Sequence, residues 1–129
     1  MSRLLVVEDN DLNQKLMERF LGSLGYEVLV ATDSGEADRA VATGAVDLVL
    51  LDVSLPGEDG LSWIRRHRSH GAAWPTVAVT AHALHGHREA ALAAGCDDYL
   101  AKPIGLQELE DLVALILRGD HPRVRARRS

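Results

Sequence analysis

The sequence predicts an α/β domain, a doubly wound sheet of five parallel strands with helices on both faces. Three observations predict it. Short apolar runs alternate with amphipathic stretches five times along the chain. The central runs are continuously apolar, as strands buried on both faces are. Polar and ionisable residues stand directly after the runs, where open α/β sheets bind their ligands.

The elements follow in order. LLVV (4–7) is the first strand, and a helix near 11–24 follows, with Leu12, Leu16, Phe20 and Leu24 recurring at i+4 and Gly25 as its stop. EVLVA (27–31) is the second strand. DSGEADRAVATG (33–44) is a short helix, with Asp33 and Glu36 spaced as a capping box and Gly44 ending it. DLVLL (47–51) is the third strand, and a helix from Leu61 to His70 follows. PTVAVTA (75–81) is the fourth strand, with Pro75 tolerated at its first residue. HREAALAAG (87–95) is a helix closed by Gly95, and DYLAK (98–102) is the fifth strand. LQELEDLVALIL (106–117) is the last helix, with Leu106, Leu109, Val113 and Ile116 on one face. Right-handed crossovers then wind the chain into one sheet.

Composition narrows the function classes. The chain has 129 residues, 47% of them hydrophobic, enough for a core without covalent staples. One cysteine, Cys96, excludes an internal disulfide framework and suits a reducing, cytoplasmic setting. No secretory signal and no membrane-spanning run is evident. The net charge is −5, unevenly spread. Arg118, Arg123, Arg125, Arg127 and Arg128 lie in the last twelve residues beside one acid, Asp120, which leaves 9 basic and 18 acidic residues elsewhere. That acidic body argues against direct DNA binding. Residues 1–118 read as the folded domain and 119–129 as a flexible basic tail. Met1 directly before the first strand favours a natural start, while the arginine-rich end leaves truncation open.

With a strand order of 2-1-3-4-5, the first and third strands are neighbours, and Glu8, Asp9 and Asp52 meet at their carboxyl ends. Thr80 follows the fourth strand, and Lys102 and Pro103 follow the fifth. Three close carboxylates disfavour one another's ionisation unless a cation lies among them. Carboxylates, a backbone carbonyl and waters suit Mg²⁺. Lys102 adds a mobile positive charge for phosphoryl oxygens, Thr80 a hydroxyl donor, and a carboxylate can itself be a nucleophile.

The fragments VVEDN (6–10), LLDVSLPGEDG (50–60), VTA (79–81) and YLAKP (99–103), in this order and each at a strand end, resemble the receiver domain of two-component response regulators. The resemblance covers roughly residues 3–118. It is similar in texture to single-domain cell-cycle regulators of the DivK type and to receivers of hybrid histidine kinases. It implies a flavodoxin-like (βα)5 fold. Asp52 matches the phosphoacceptor, Asp9 the direct metal ligand, Glu8 its partner through water, and Ser54 the backbone-carbonyl ligand. Lys102 matches the phosphoryl-binding lysine, Thr80 the switch hydroxyl, Tyr99 the aromatic that turns inward, and Ala81 the small residue that keeps the acceptor accessible. A cis peptide is implied before Pro103.

The implied chemistry is transfer from a phosphohistidine of a histidine kinase or histidine phosphotransfer protein to Asp52, assisted by Mg²⁺. The output is protein contact through the face of the fourth helix, fifth strand and fifth helix, with phosphorylation-dependent homodimerisation as one form. The chain would be no enzyme beyond its own phosphorylation and slow autodephosphorylation. A receiver excised from a longer chain and a scaffolding pseudo-receiver are the alternatives within the family. An aspartyl phosphatase would need an acid where Ser54 stands. A dinucleotide-binding domain would need glycines where EDNDLN stands.

His82, His85 and His87 cluster in sequence but have only Cys96 to complete a zinc site, so they are not read as one. His82, two residues after Thr80, is expected to tune aspartyl-phosphate hydrolysis together with Ser54. Trp63 and Trp74 read as partly packed, with Trp63 open to a partner contact.

Overall fold

The computed structural model describes residues 1–81 and 86–128. The strands are β1 (Arg3–Val7), β2 (Glu27–Ala31), β3 (Leu48–Asp52), β4 (Thr76–Thr80) and β5 (Asp98–Ala101). The helices are α1 (Asp11–Ser23), α2 (Ser34–Ala42), α3 (Gly60–Ser69), α4 (His87–Ala94), α5 (Leu106–Leu117) and α6 (Pro122–Arg128). All strand pairs are parallel and the order is β2-β1-β3-β4-β5. Every residue of β3 and β4 is buried, as their unbroken apolar runs require.

Alternation along the strands divides the core in two. Leu5, Val7, Val49, Leu51 and Ala78 pack beneath α2, α3 and α4 with Trp63 and Ile64. Leu4, Val6, Leu48, Leu50 and Val77 face α1 and α5 with Met17, Leu21, Leu109, Val113 and Ile116. Each fully buried aliphatic side chain contributes roughly 1.5–3 kcal/mol of transfer free energy.

Local chemistry sets the helix starts. Asn10 caps α1, Asp33 caps α2 and Asp59 caps α3, each accepting from the backbone N–H three residues on. The box predicted at Asp33 and Glu36 is shifted. Asp33 takes the Glu36 N–H at 2.8 Å, but the Glu36 carboxylate reaches past it to the Thr32 N–H at 2.6 Å.

Three expectations are corrected. The i+4 stripe along α1 packs on the core only at Phe20 and Leu24. Leu12 is 76% exposed and Leu16 53%, while Met17 and Leu21 carry the core contact. Four-residue steps on a helix of 3.6 residues per turn drift by about 40° each, so a stripe from residue 12 to 24 leaves its starting face. Trp63 is fully buried, its indole N–H donating to Asp38 at 2.8 Å and its ring stacked on Trp74 at 5.4 Å, so it offers no surface to a partner. The basic end is not a loose tail. Residues 122–128 form α6, with Val124 and His121 buried against the domain.

Candidate functional site

The third strand lifts Asp52 to the carboxyl edge of the sheet, where it stays buried at 4% exposure. Parallel register places β1 beside it, with Val7 opposite Leu51, so the chain leaving β1 delivers Glu8 and Asp9 next to Asp52. Ligand oxygens of Glu8, Asp9 and Asp52 lie within 4.8 Å of one another. Glu8 is buried and Asp9 exposed, so the cluster is open on one side.

Asp52 is fixed from its own loop, as Oδ1 accepts the Ser54 N–H at 3.0 Å. Ser54 is exposed, so its main chain stands beside the carboxylate at the mouth of the site. Lys102 arrives from the end of β5. Its Nζ is 3.2 Å from Glu8 Oε2, 3.3 Å from Glu8 Oε1 and 3.6 Å from Asp52 Oδ2. The Lys102 N–H donates to the Thr80 carbonyl at 2.7 Å, which ties the lysine loop to the end of β4. The Lys102–Pro103 peptide is cis.

Glu8 has its pKa raised, first by burial and then by the hydrogen-bonded contact with Asp52, against the opposing effects of Asn13 and Lys102. The group gains from any positive charge brought to its oxygens. Three carboxylates with one solvent-facing side form a hard-oxygen donor set, and these residues fit a divalent cation such as Mg²⁺.

Thr80 is buried beneath the exposed Ala81, and Tyr99 is half-buried against the core of the α3 and α4 face. Glu8, Asp52, Lys102 and Ala81 line a groove of about 470 Å³, completed by apolar residues that include Leu16, Met17, Ile104 and Leu106. His82 and His85 lie outside the described residues, and His87 opens α4.

Three contributors are not evident from the sequence. Asn13 donates to Glu8 Oε1 at 3.0 Å, and Gln14 donates to the Glu8 carbonyl. Their only sequence signal is two amides in the first turn of the helix that follows the acidic pair. Gly60 is the third. A Cβ there would stand 2.5 Å from the Asp52 carbonyl oxygen and 2.9 Å from the Val53 Cα.

The family model for the response regulator receiver domain matches residues 4–114. The chain belongs to this family. Among curated relatives, the receiver is 38% identical over 112 residues to the sensor histidine kinase RcsC of Salmonella typhi, covering 87% of this chain and 12% of that protein. It is 40% identical over 129 residues to the sensor histidine kinase GacS of Pseudomonas protegens, covering 93% and 14%. The chain thus spans a small fraction of the length of these kinases. Among solved structures, it resembles the receiver domain of the sensor histidine kinase PA1611 from Pseudomonas aeruginosa, with a TM-score of 0.83, 40% identity, and 92% and 98% of the two chains covered. That structure has a magnesium ion coordinated in its active-site cleft. The Francisella response regulator 1452 receiver domain superposes with a TM-score of 0.87 at 25% identity, covering 92% and 98%. The receiver is therefore a two-component signalling module, related to the receivers of hybrid histidine kinases. No helix among the described residues is long and apolar enough to cross a membrane.

Proposed function

We propose that this receiver accepts a phosphoryl group on Asp52 from a phosphohistidine of a histidine kinase or histidine phosphotransfer protein. The observation that carries the reading is the convergence of Asp52, Glu8, Asp9 and Lys102 on one volume at the sheet edge. The Asp52 carboxylate attacks phosphorus in line as the P–N bond to the imidazole breaks, which leaves an acyl phosphate on Asp52 and a free histidine on the donor. The Ser54 N–H keeps the carboxylate from rotating. Lys102 moves from Glu8 to the incoming phosphoryl oxygens. Glu8, Asp9, Asp52 and the Ser54 carbonyl would hold Mg²⁺, which supplies charge neutralisation at the transferring group.

The phosphoryl group then draws the Thr80 hydroxyl, and Tyr99 follows into the space left behind. The surface that responds is that of α4, β5 and α5, through which a protein target or a second copy binds. Water attack on the acyl phosphate resets the domain, and the chain turns over no separate substrate. Exposed Leu16 and Leu106 support a protein donor, as they give the mouth of the groove an apolar rim. The lone Cys96, buried with its thiol pushed up to about 12 by burial, fits a reducing cytoplasm.

The test is intact mass after incubation with Mg²⁺ and acetyl phosphate. A phosphate-sized increment is expected in the wild type and none in Asp52→Asn or with EDTA. An increment that persists in Asp52→Asn would refute the assignment of the acceptor.

A further inference from the structure

The first turn of α1 is built around Glu8. Asn10 caps the helix by accepting the Asn13 N–H at 2.9 Å, which leaves the Asn13 side chain to point back along the turn. Its Nδ2 donates to Glu8 Oε1 at 3.0 Å. Gln14 Nε2 donates to the Glu8 main-chain carbonyl and, at 3.2 Å, lies on Thr32 Oγ1. Two consecutive residues therefore hold Glu8 at its backbone and at its carboxylate.

The division of partners on that carboxylate is informative. Lys102 Nζ reaches both oxygens, whereas Asn13 bonds only Oε1. Lysine is a mobile cation on a flexible stem, so by itself it leaves the orientation of a glutamate loosely set. The Asn13 amide comes from a helix turn whose backbone is already capped, so its position is fixed. It is also neutral. A cation in its place would cancel the negative charge that a divalent ion needs, while an apolar residue would leave Oε1 to the mobile Lys102 alone.

We infer that Asn13 is a positioning residue for metal binding: its amide anchors Glu8 Oε1 so that Glu8 keeps facing Asp9 and Asp52 when Lys102 leaves it. The inference rests on the Mg²⁺ site of the proposed function. Partners that orient metal ligands typically change metal affinity 10–100-fold when removed. Asn13 lines the same groove as Glu8, Asp52 and Lys102, but it offers the cluster a neutral amide and no carboxylate.

The test is Mg²⁺ titration by calorimetry on the whole chain, with thermal unfolding in EDTA alongside. Asn13→Ala and the near-isosteric Asn13→Leu are expected to raise the Mg²⁺ Kd about ten-fold with unfolding in EDTA unchanged. Raising Mg²⁺ should restore their phosphorylation by acetyl phosphate to the wild-type rate. A Kd within about two-fold of wild type in both variants, well below the usual effect, would overturn the inference and leave the metal site standing. Weaker binding matched by an equal loss of thermal stability in both would overturn it in favour of a plain packing role. Failure of the wild type to bind Mg²⁺ would overturn the metal site and this inference together.

Discussion

Asp38 lies on α2 yet is held by α3. Its carboxylate accepts from Trp63 at 2.8 Å and from Arg66 at 3.1 Å, and pairs with His67 at 2.7 Å. Burial would raise its pKa, but the bonds from His67, Trp63 and Arg66 outweigh it and lower the value below 3.8. A lowered folded-state pKa gives stability that is present above the unfolded value and lost as pH falls through the folded one. Asp38→Asn is therefore expected to cost about 1 kcal/mol at neutral pH, discounted because the pair with Arg66 is partly exposed. The difference from wild type in urea unfolding should shrink as pH drops below 3.8. Gly60 makes the reverse argument, since there any side chain is too much. Gly60→Ala must push the Asp52 carbonyl or the start of α3 aside, at a cost of about 1–3 kcal/mol, and should slow Asp52 phosphorylation as well as lower Tm. At this scale Asp52, Glu8, Asp9 and Lys102 are legible because their types and strand-end positions suffice. Asn13 and Gly60 are not, because their roles depend on which atoms a helix turn and a strand tip bring together.

Among the elements, the ten expected strands and helices are found within a few residues of their predicted bounds. Periodicity and caps are local signals that the tertiary structure obeys here. The sixth helix is the exception. Residues 119–129 contain one large apolar residue, Val124, so no amphipathic period announces it. Its order comes from elsewhere. Val124 enters the core beside Val113 and Ile116, and His121 pairs with Asp98 at 2.8 Å. Arg127 meets Asp97 and donates to the Ala73 carbonyl at 2.9 Å, while Arg123 donates to the Leu92 carbonyl at 3.2 Å. Arginines that composition alone assigns to solvent thus hold the domain, Arg123 at the carboxyl end of α4 and Arg127 at Asp97 and Ala73. Val124→Ala is expected to cost about 1–2 kcal/mol in urea unfolding, from two buried methyl groups and the space they leave. Removal of 119–129 should cost more than Val124→Ala, as it also strips Asp97 of one of its two arginines.

Across the whole molecule, chemistry and anchoring occupy opposite edges of one sheet. The acidic cluster and Lys102 stand at the carboxyl ends of β1, β3 and β5. At the other edge Asp97 accepts the Thr76 N–H at 2.9 Å and pairs with Arg68 and Arg127, binding the starts of β4 and β5 to α3 and α6. The strand order follows from topology rules and the acidic pair, so the site's location is readable in advance. The anchored edge is not, because it relies on the unannounced α6. Addition of beryllofluoride and Mg²⁺ should change amide exchange at Thr80, Lys102 and Ala101 while leaving Val77 and Asp98 slow. Equal changes at both ends of β4 and β5 would argue against a response confined to the site edge.

The buried Asp97 with its two arginines makes β4 and β5 a pair of cantilevers, clamped at the root and loaded at the tip. Bending then has a fixed pivot, so a displacement too small to disturb the core near Thr76 grows with distance toward Thr80 and Lys102. Arg68 of α3 and Arg127 of α6 hold that root together, so a helix remote from the reactive carboxylate is tied to the two strands that carry Thr80 and Lys102 at their far ends.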